Sequence, residues 1–265
     1  MNQGDLLNSL GPLDLVSCIL AASGHDVAHP ALTNRFLVST RDNIAIKYND
    51  NSVLENMHCA KTYQIMQIKG CNIFEGLDEE SWFRSRKLII EMILATDMSK
   101  HFEILGKFRT RVLTLGDLNS QDNEDKNSIL SMGVKCADLG HSAKCKELHQ
   151  KWTELVCEEF FKQGDIEKSR GLPVSMYCDR ETTDVPKSQA GFIKNICLPL
   201  FEVWCTYLSS EEIYNNCYLQ LKENLQMWKE KSKNRRSTMQ AVNKRPSQEP
   251  LKPIREIETH RQCFT

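Results

Sequence analysis

The stretch GHDVAHPALTN, residues 24–34, puts His25, Asp26 and His29 within five positions, between a glycine and a proline. Adjacent His and Asp residues offer one imidazole nitrogen and one carboxylate, a pairing that suits a divalent cation better than a core. The apolar run LVSCILAASG leads directly into the pair. That places the pair at the end of a buried helix, where a carboxylate is costly unless it is paired or bound to a metal.

Helical periodicity extends outward from this stretch. In ELHQKWTELVCEEFFKQGD, Leu148, Trp152, Leu155, Val156 and Phe160 recur at helical offsets, and Gly164 reads as a stop. SWFRSRKLIIEMILATDM sets Leu88, Ile89, Met92 and Ile93 on one face. Ser209 with Glu212 reads as a capping box that opens the helix EEIYNNCYLQLKENLQMWKEK. Alternating strand patterns are nearly absent. Breaks fall at Gly70, at Leu118 to Lys126 and at Gly171 to Pro186. The fold class predicted is all-α: one compact multi-helix domain over residues 10–232. From residue 233 to 265 prolines and charges replace the apolar pattern, which reads as a disordered basic tail.

The composition is that of a soluble globular protein, at 40% hydrophobic and 26% charged. A formal charge of −1 gives no overall pull toward nucleic acid or membrane. The segment from Lys229 to Thr265 holds ten Lys or Arg against four Glu, a net +6 that leaves −7 for the rest. Such a tail could touch an anionic surface, but a solvated tail is the simpler reading. Eleven cysteines with no CxxC spacing read as reduced thiols of a cytoplasmic protein. No signal segment opens the chain, no apolar run is long enough to span a bilayer, and nothing sets an oligomeric state.

Four of the histidine motifs carry an acid close by: HDVAHP, Glu55 with His58, Asp97 with His101, and Asp138 with His141. Any one alone is an ordinary helical pairing. Four in one all-α chain point to metal-assisted hydrolysis. A mixed His and Asp set can hold two cations about 3.5–4 Å apart and activate a water for attack on phosphorus, while outer groups orient the waters.

In order, HDVAHPALTN, YNDNSVLENMHCA, LATDMSKH, KCADLG, WTELVCEEFFKQGD and KSQAGFI resemble the catalytic domain of class I cyclic nucleotide phosphodiesterases, over residues 12 to 228 or so. The resemblance implies an HD-type all-α fold. It also implies hydrolysis of 3′,5′-cyclic nucleotides to 5′-monophosphates, with zinc and a second ion, magnesium or manganese. By motif, His25, Asp26 and Asp138 correspond to metal ligands, Asp26 bridging both ions. His29, Glu55 and Asp97 correspond to groups that hold the waters. Gln189 and Phe192 correspond to the amide and the aromatic that bind the purine. Val156, Phe160, Met98 and His141 correspond to the rest of the base pocket.

The chain departs from the family pattern in three places. No histidine precedes His25, so the family's upstream His-Asn pair and second histidine, which supply an acid and a zinc ligand, have no counterpart. The expectation is a domain lacking its N-terminal helices, a fragment of an active enzyme. His141 stands where many relatives carry a small polar residue, and Ala31 where glycine is common, a change expected to be tolerated. Two other functions compete with cyclic nucleotide hydrolysis: a catalytically dead module that binds nucleotide or a partner, and an HD-type phosphohydrolase acting on non-cyclic nucleotides.

Overall fold

The structure, a computed structural model, describes residue 6, residues 10–114, residue 118 and residues 122–243, with side chains to residue 235. Among the described residues every regular element is helical. None of these helices is long and apolar enough to cross a membrane.

Helix α1 (Pro12–Gly24) opens on a proline, whose missing N–H costs nothing in a first turn. Two short helices follow, α2 (Asn34–Ser39) and α3 (Asn43–Lys47), and then α4 (Val53–Met66). Helix α5 (Glu79–Leu94) is started by Asp78, whose carboxylate accepts the Ser81 N–H at 2.8 Å. A single 3₁₀ turn (Met98–Lys100) leads into α6 (His101–Thr114). Asp122 caps α7 (Asn123–Asp138) by accepting from the N–H groups of Glu124 and Asp125. A 3₁₀ segment (Leu139–Ala143) then turns the chain into α8 (Lys146–Ser169).

The predicted apolar face of α5 is the centre of the molecule: Leu88, Ile89, Met92 and Ile93 are all buried. They pack with Ile129, Leu130 and Met132 of α7 in one continuous core. A smaller core of Phe36, Leu37, Ala45, Val53, Leu54 and Met57 holds α2 and α3 against α4. Asp14 of α1 is buried between Arg84 of α5 and Lys126 of α7, with the lysine Nζ at 3.0 Å. This charge cluster ties together the three helices beneath the HD stretch.

The C-terminal part, from residue 185, folds back on itself. Helix α9 (Val185–Phe192) passes through a π turn (Ile193–Cys197) into α10 (Leu198–Leu208). Pro199 explains the turn: it lacks an N–H, and its ring crowds the carbonyl of Asn195 four residues back. After α11 (Glu211–Ile213) and a second π turn (Tyr214–Leu219), α12 (Gln220–Asn243) runs back along the site. It continues past residue 232, where the tail was expected to begin. Residues 244–265 of that tail lie outside the described residues.

Three local expectations need correction. Gly164 does not stop its helix, because α8 continues to Ser169. It is a point of close approach instead: a Cβ there would lie 1.8 Å from the Cys178 carbonyl oxygen. The cap of the last helical region is Ser210, which accepts the Ile213 N–H. Ser209 closes α10 with φ +47°. The polar break at Leu118 to Lys126 is shorter than expected, since α7 has begun by Asn123.

Candidate functional site

The end of α1, the middle of α4 and the end of α7 meet at one point. His25 caps the C-terminus of α1, with its Nδ1 2.8 Å from the Ala22 carbonyl oxygen. The Nδ1–H is thereby spent on backbone, and Nε2 faces two carboxylates: Asp26 Oδ2 at 3.3 Å and Asp138 Oδ1 at 3.4 Å. His58 of α4 repeats the device, with Nδ1 2.8 Å from the Val27 carbonyl oxygen and Nε2 3.7 Å from Asp26 Oδ1. Asp26 therefore turns one oxygen to each histidine. Two candidate cation clusters result, His25–Asp26–Asp138 and Asp26–His29–His58, with the ligand atoms of each within 4.8 Å of one another.

The His25 cluster and the Asp26–His58 edge of the second fit divalent cations on their own chemistry, while the Nδ1 lone pair of His29 is engaged by the Ala31 N–H. A ligating histidine commonly donates its other ring N–H to a fixed acceptor, and His25 and His58 both do so. The local field is strongly negative. Hydrogen bonding to Asp138 and then to Asp26 lifts the His25 pKa to about 10, while His25 holds the Asp26 carboxyl below its ordinary range. Burial moves His58 the other way, toward the neutral, ligating form.

The three outer groups lie around this centre. His29 stacks on His58 with ring centroids 5.6 Å apart, and its Nδ1 accepts the Ala31 N–H. The proton of a neutral His29 therefore sits on Nε2. Glu55 is gripped by the Asn34 amide at 2.9 Å, and burial raises its pKa. Burial also acts to raise Asp97, but hydrogen bonds from Ser52 and Ser99 outweigh it and leave the carboxyl below its ordinary value. Lys135, buried in α7, donates to the Ala95 carbonyl at 2.8 Å and fixes the end of α5 against the helix that carries Asp138.

His25, Asp26 and Asp138 also form one side of a cavity of about 870 Å³. Its apolar walls include Met98, Val156, Phe160 and Phe192, and His141 lines it as well. Gln189 stands on α9 one turn before Phe192 and is not part of the lining; its Oε1 is buried and makes no hydrogen bond. Helix α12 braces the far wall. Asn224 donates to the carbonyls of Ser142 and Lys144, pinning the turn that carries His141. The Trp228 indole N–H donates to His149 Nε2 at 2.7 Å, and His149 stacks on His141 at 5.6 Å. An indole N–H can only donate, so His149 is held neutral with its proton on Nδ1.

One of the sequence pairings separates in space. His101 is fully buried beside Phe102, away from the hydrogen bonds of Asp97. His141 and Asp138 stay together as lining of one cavity, Asp138 at the edge that meets His25. His58 was visible in sequence only as the helical neighbour of Glu55. Its signal is spatial, because Val27 lies 31 residues away. Ala31 takes φ +59°, so the turn after the HD pair has the backbone that a glycine adopts most readily.

Comparison with known proteins agrees with this geometry. Residues 1–217 match the family described as 3′5′-cyclic nucleotide phosphodiesterase. The 3′,5′-cyclic-AMP phosphodiesterase 4C of Rattus norvegicus is 42% identical over 197 residues, covering 72% of this chain and 37% of that protein. The Mus musculus protein of the same name is 42% identical over 197 residues, 29% of its length. A Drosophila melanogaster 3′,5′-cyclic-AMP phosphodiesterase, isoform F, is 41% identical over 198 residues, 30% of its length. The chain thus spans about a third of the length of these curated relatives.

Proposed function

The chain belongs to the 3′5′-cyclic nucleotide phosphodiesterase family, and from that premise we propose that it hydrolyses a 3′,5′-cyclic nucleotide to the 5′-monophosphate. Residues 10–232 form the catalytic domain in this reading. Divalent cations are the cofactors, zinc in one cluster and magnesium or manganese in the other. The observation that carries the reading is Asp26, which turns one carboxylate oxygen toward His25 and the other toward His58 at the edge of a largely apolar cavity.

A cation pair supplies Lewis-acid activation of a water and neutralises charge that develops on the phosphate. The protein's part is preparation of that site. His25, Asp26 and Asp138 converge on one point and would hold a cation there, with His25 ligating through Nε2 in its neutral form. His29, Glu55 and Asp97 are locked by Ala31, Asn34 and Ser52, so the donors and acceptors that orient water are fixed in advance. Phe192 offers a face for a purine, and such stacking contributes about 1–3 kcal/mol by analogy with bases on other proteins. The Gln189 carbonyl oxygen, buried without a donor one turn from Phe192, would meet the exocyclic amine of a base once the side chain turns toward the cavity. Val156, Phe160 and Met98 enclose the ring, and His141 presents a polar edge to it. We place cyclic AMP first among substrates because the relatives carry that name. Ten free thiols among the described residues suit a reducing compartment, and we assign the cytoplasm.

The test is hydrolysis of cyclic AMP and cyclic GMP with zinc and magnesium supplied, beside Asp138→Ala. Turnover that disappears in the variant supports the assignment. A folded protein that retains nucleotide without turnover would instead be a binding module. Preference for non-cyclic nucleotides would make it another phosphohydrolase.

A further inference from the structure

A second cavity, of about 720 Å³, opens at the other end of α4 and shares no lining residue with the first. Its floor is an aromatic pair, Tyr63 of α4 and Trp82 of α5, with ring centroids 6.4 Å apart. The Arg86 guanidinium lies 4.0 Å from the Tyr63 ring centroid and 5.7 Å from that of Trp82. Stacking of this kind fixes the plane of a guanidinium, and apart from the N–H turned to the Tyr63 oxygen its donor edge meets no carboxylate among the described ion pairs. Lys69 and Gln64 also line the opening, and Glu75 is the one acid on the wall. Tyr63 is 8% exposed, and its hydroxyl hydrogen finds no acceptor. Burial pushes that phenol up to about 12, so it remains a donor at neutral pH.

Two cationic groups share the cavity with one acid, Glu75, and with the amides Gln64, Gln67 and Asn72. Arg86, Lys69 and the Tyr63 hydroxyl all donate, two of them cationic, and an indole lies beside them. A buried donor without an acceptor costs free energy unless something meets it. Arg and Lys together match the two negative charges and several acceptor oxygens of a phosphate monoester, and the indole offers a surface for a ring attached to it. We propose that this cavity is a binding site for a phosphomonoester carried on a planar ring, separate from the cavity that holds the HD cluster.

The test is calorimetric titration of the full chain, stripped of cations with chelator, using phenyl phosphate as the probe and benzoate and inorganic phosphate as comparisons. Stripping removes phosphate binding through cations at the HD cluster. The expected result is one site per chain, with phenyl phosphate at least tenfold tighter than either comparison. Lys69→Gln, on an exposed side chain that leaves the fold intact, should weaken binding severalfold, and Arg86→Gln at least tenfold. Asp138→Ala should bind as the wild type does, which separates this site from the proposed hydrolytic one. Equal affinity in wild type and Lys69→Gln, or loss of binding in Asp138→Ala, would overturn the proposal. So would benzoate binding as tightly as phenyl phosphate.

Discussion

Asp14→Ala should destabilise the protein far more than a surface charge change does. Asp14 is 1% exposed and is the common partner of Arg84, 48% exposed, and Lys126, 10% exposed. Without Asp14, Arg84 turns to water at little cost. Lys126 cannot, and removal of one partner of a buried ion pair costs about 3–5 kcal/mol. In a domain of this size each kcal/mol moves the melting point by roughly 2–4 °C, so a fall of about 6–20 °C is expected. The double change Asp14→Leu with Lys126→Met removes both charges and should recover most of the loss. Acidity provides an independent check. Burial alone would raise the Asp14 pKa, but the Lys126 hydrogen bond, the Gly11 N–H and the charge of Arg84 outweigh it and hold the carboxyl below its ordinary value. The contribution of Asp14 is therefore complete above the unfolded value, about 3.9, and is lost as pH falls through the lower folded value. The assay is urea unfolding of the three proteins at pH 7 and at stepped acid pH. A single-variant loss below about 1 kcal/mol, or a double variant no better than the single, would refute the argument that a stranded lysine sets the cost.

Gly164→Ala should cost about 3 kcal/mol or more, because the new methyl meets the Cys178 backbone and not a yielding side chain; thermal melts read the loss. Ala31→Gly should gain about 1 kcal/mol, since a left-handed alanine is strained by roughly that amount; an unchanged urea midpoint would contradict this. His101 and His149 are both pressed to about 4, first by burial, so the native state keeps them neutral while the unfolded chain protonates near 6.5. Stability should hold above pH 6.5 and fall from there toward pH 4, with a slope of up to about 2.7 kcal/mol per pH unit; equal urea midpoints at pH 7 and pH 5 would contradict it.

Much of the fold is legible in the chain because it rests on local periodicity. Leu88, Ile89, Met92 and Ile93 declare a buried helical face, and that face is the core. Two of the misreadings depend on a contact distant in sequence or on a one-residue shift. Gly164 has the signature of a helix stop, but its role is set by Cys178, fourteen positions on in the chain and in direct contact in space. Two adjacent serines can each cap a helix, and only backbone geometry distinguishes Ser210 from Ser209. In the site, HDVAHP and KCADLG mark His25, Asp26 and Asp138 as a group. His58 joins that group only because α4 folds against the Val27 carbonyl. The bracing of His141 by His149 and Trp228 has no signal in sequence, since it joins α8 to α12 across 79 residues.

The most direct measurement of the central claim is cation stoichiometry by elemental analysis of the chain equilibrated with zinc and magnesium, for wild type, Asp138→Ala and Asp26→Ala. The account predicts two cations per wild-type chain, about one in Asp138→Ala and fewer than one in Asp26→Ala, because only Asp26 belongs to both clusters. An Asp26→Ala chain that still binds two cations would contradict it.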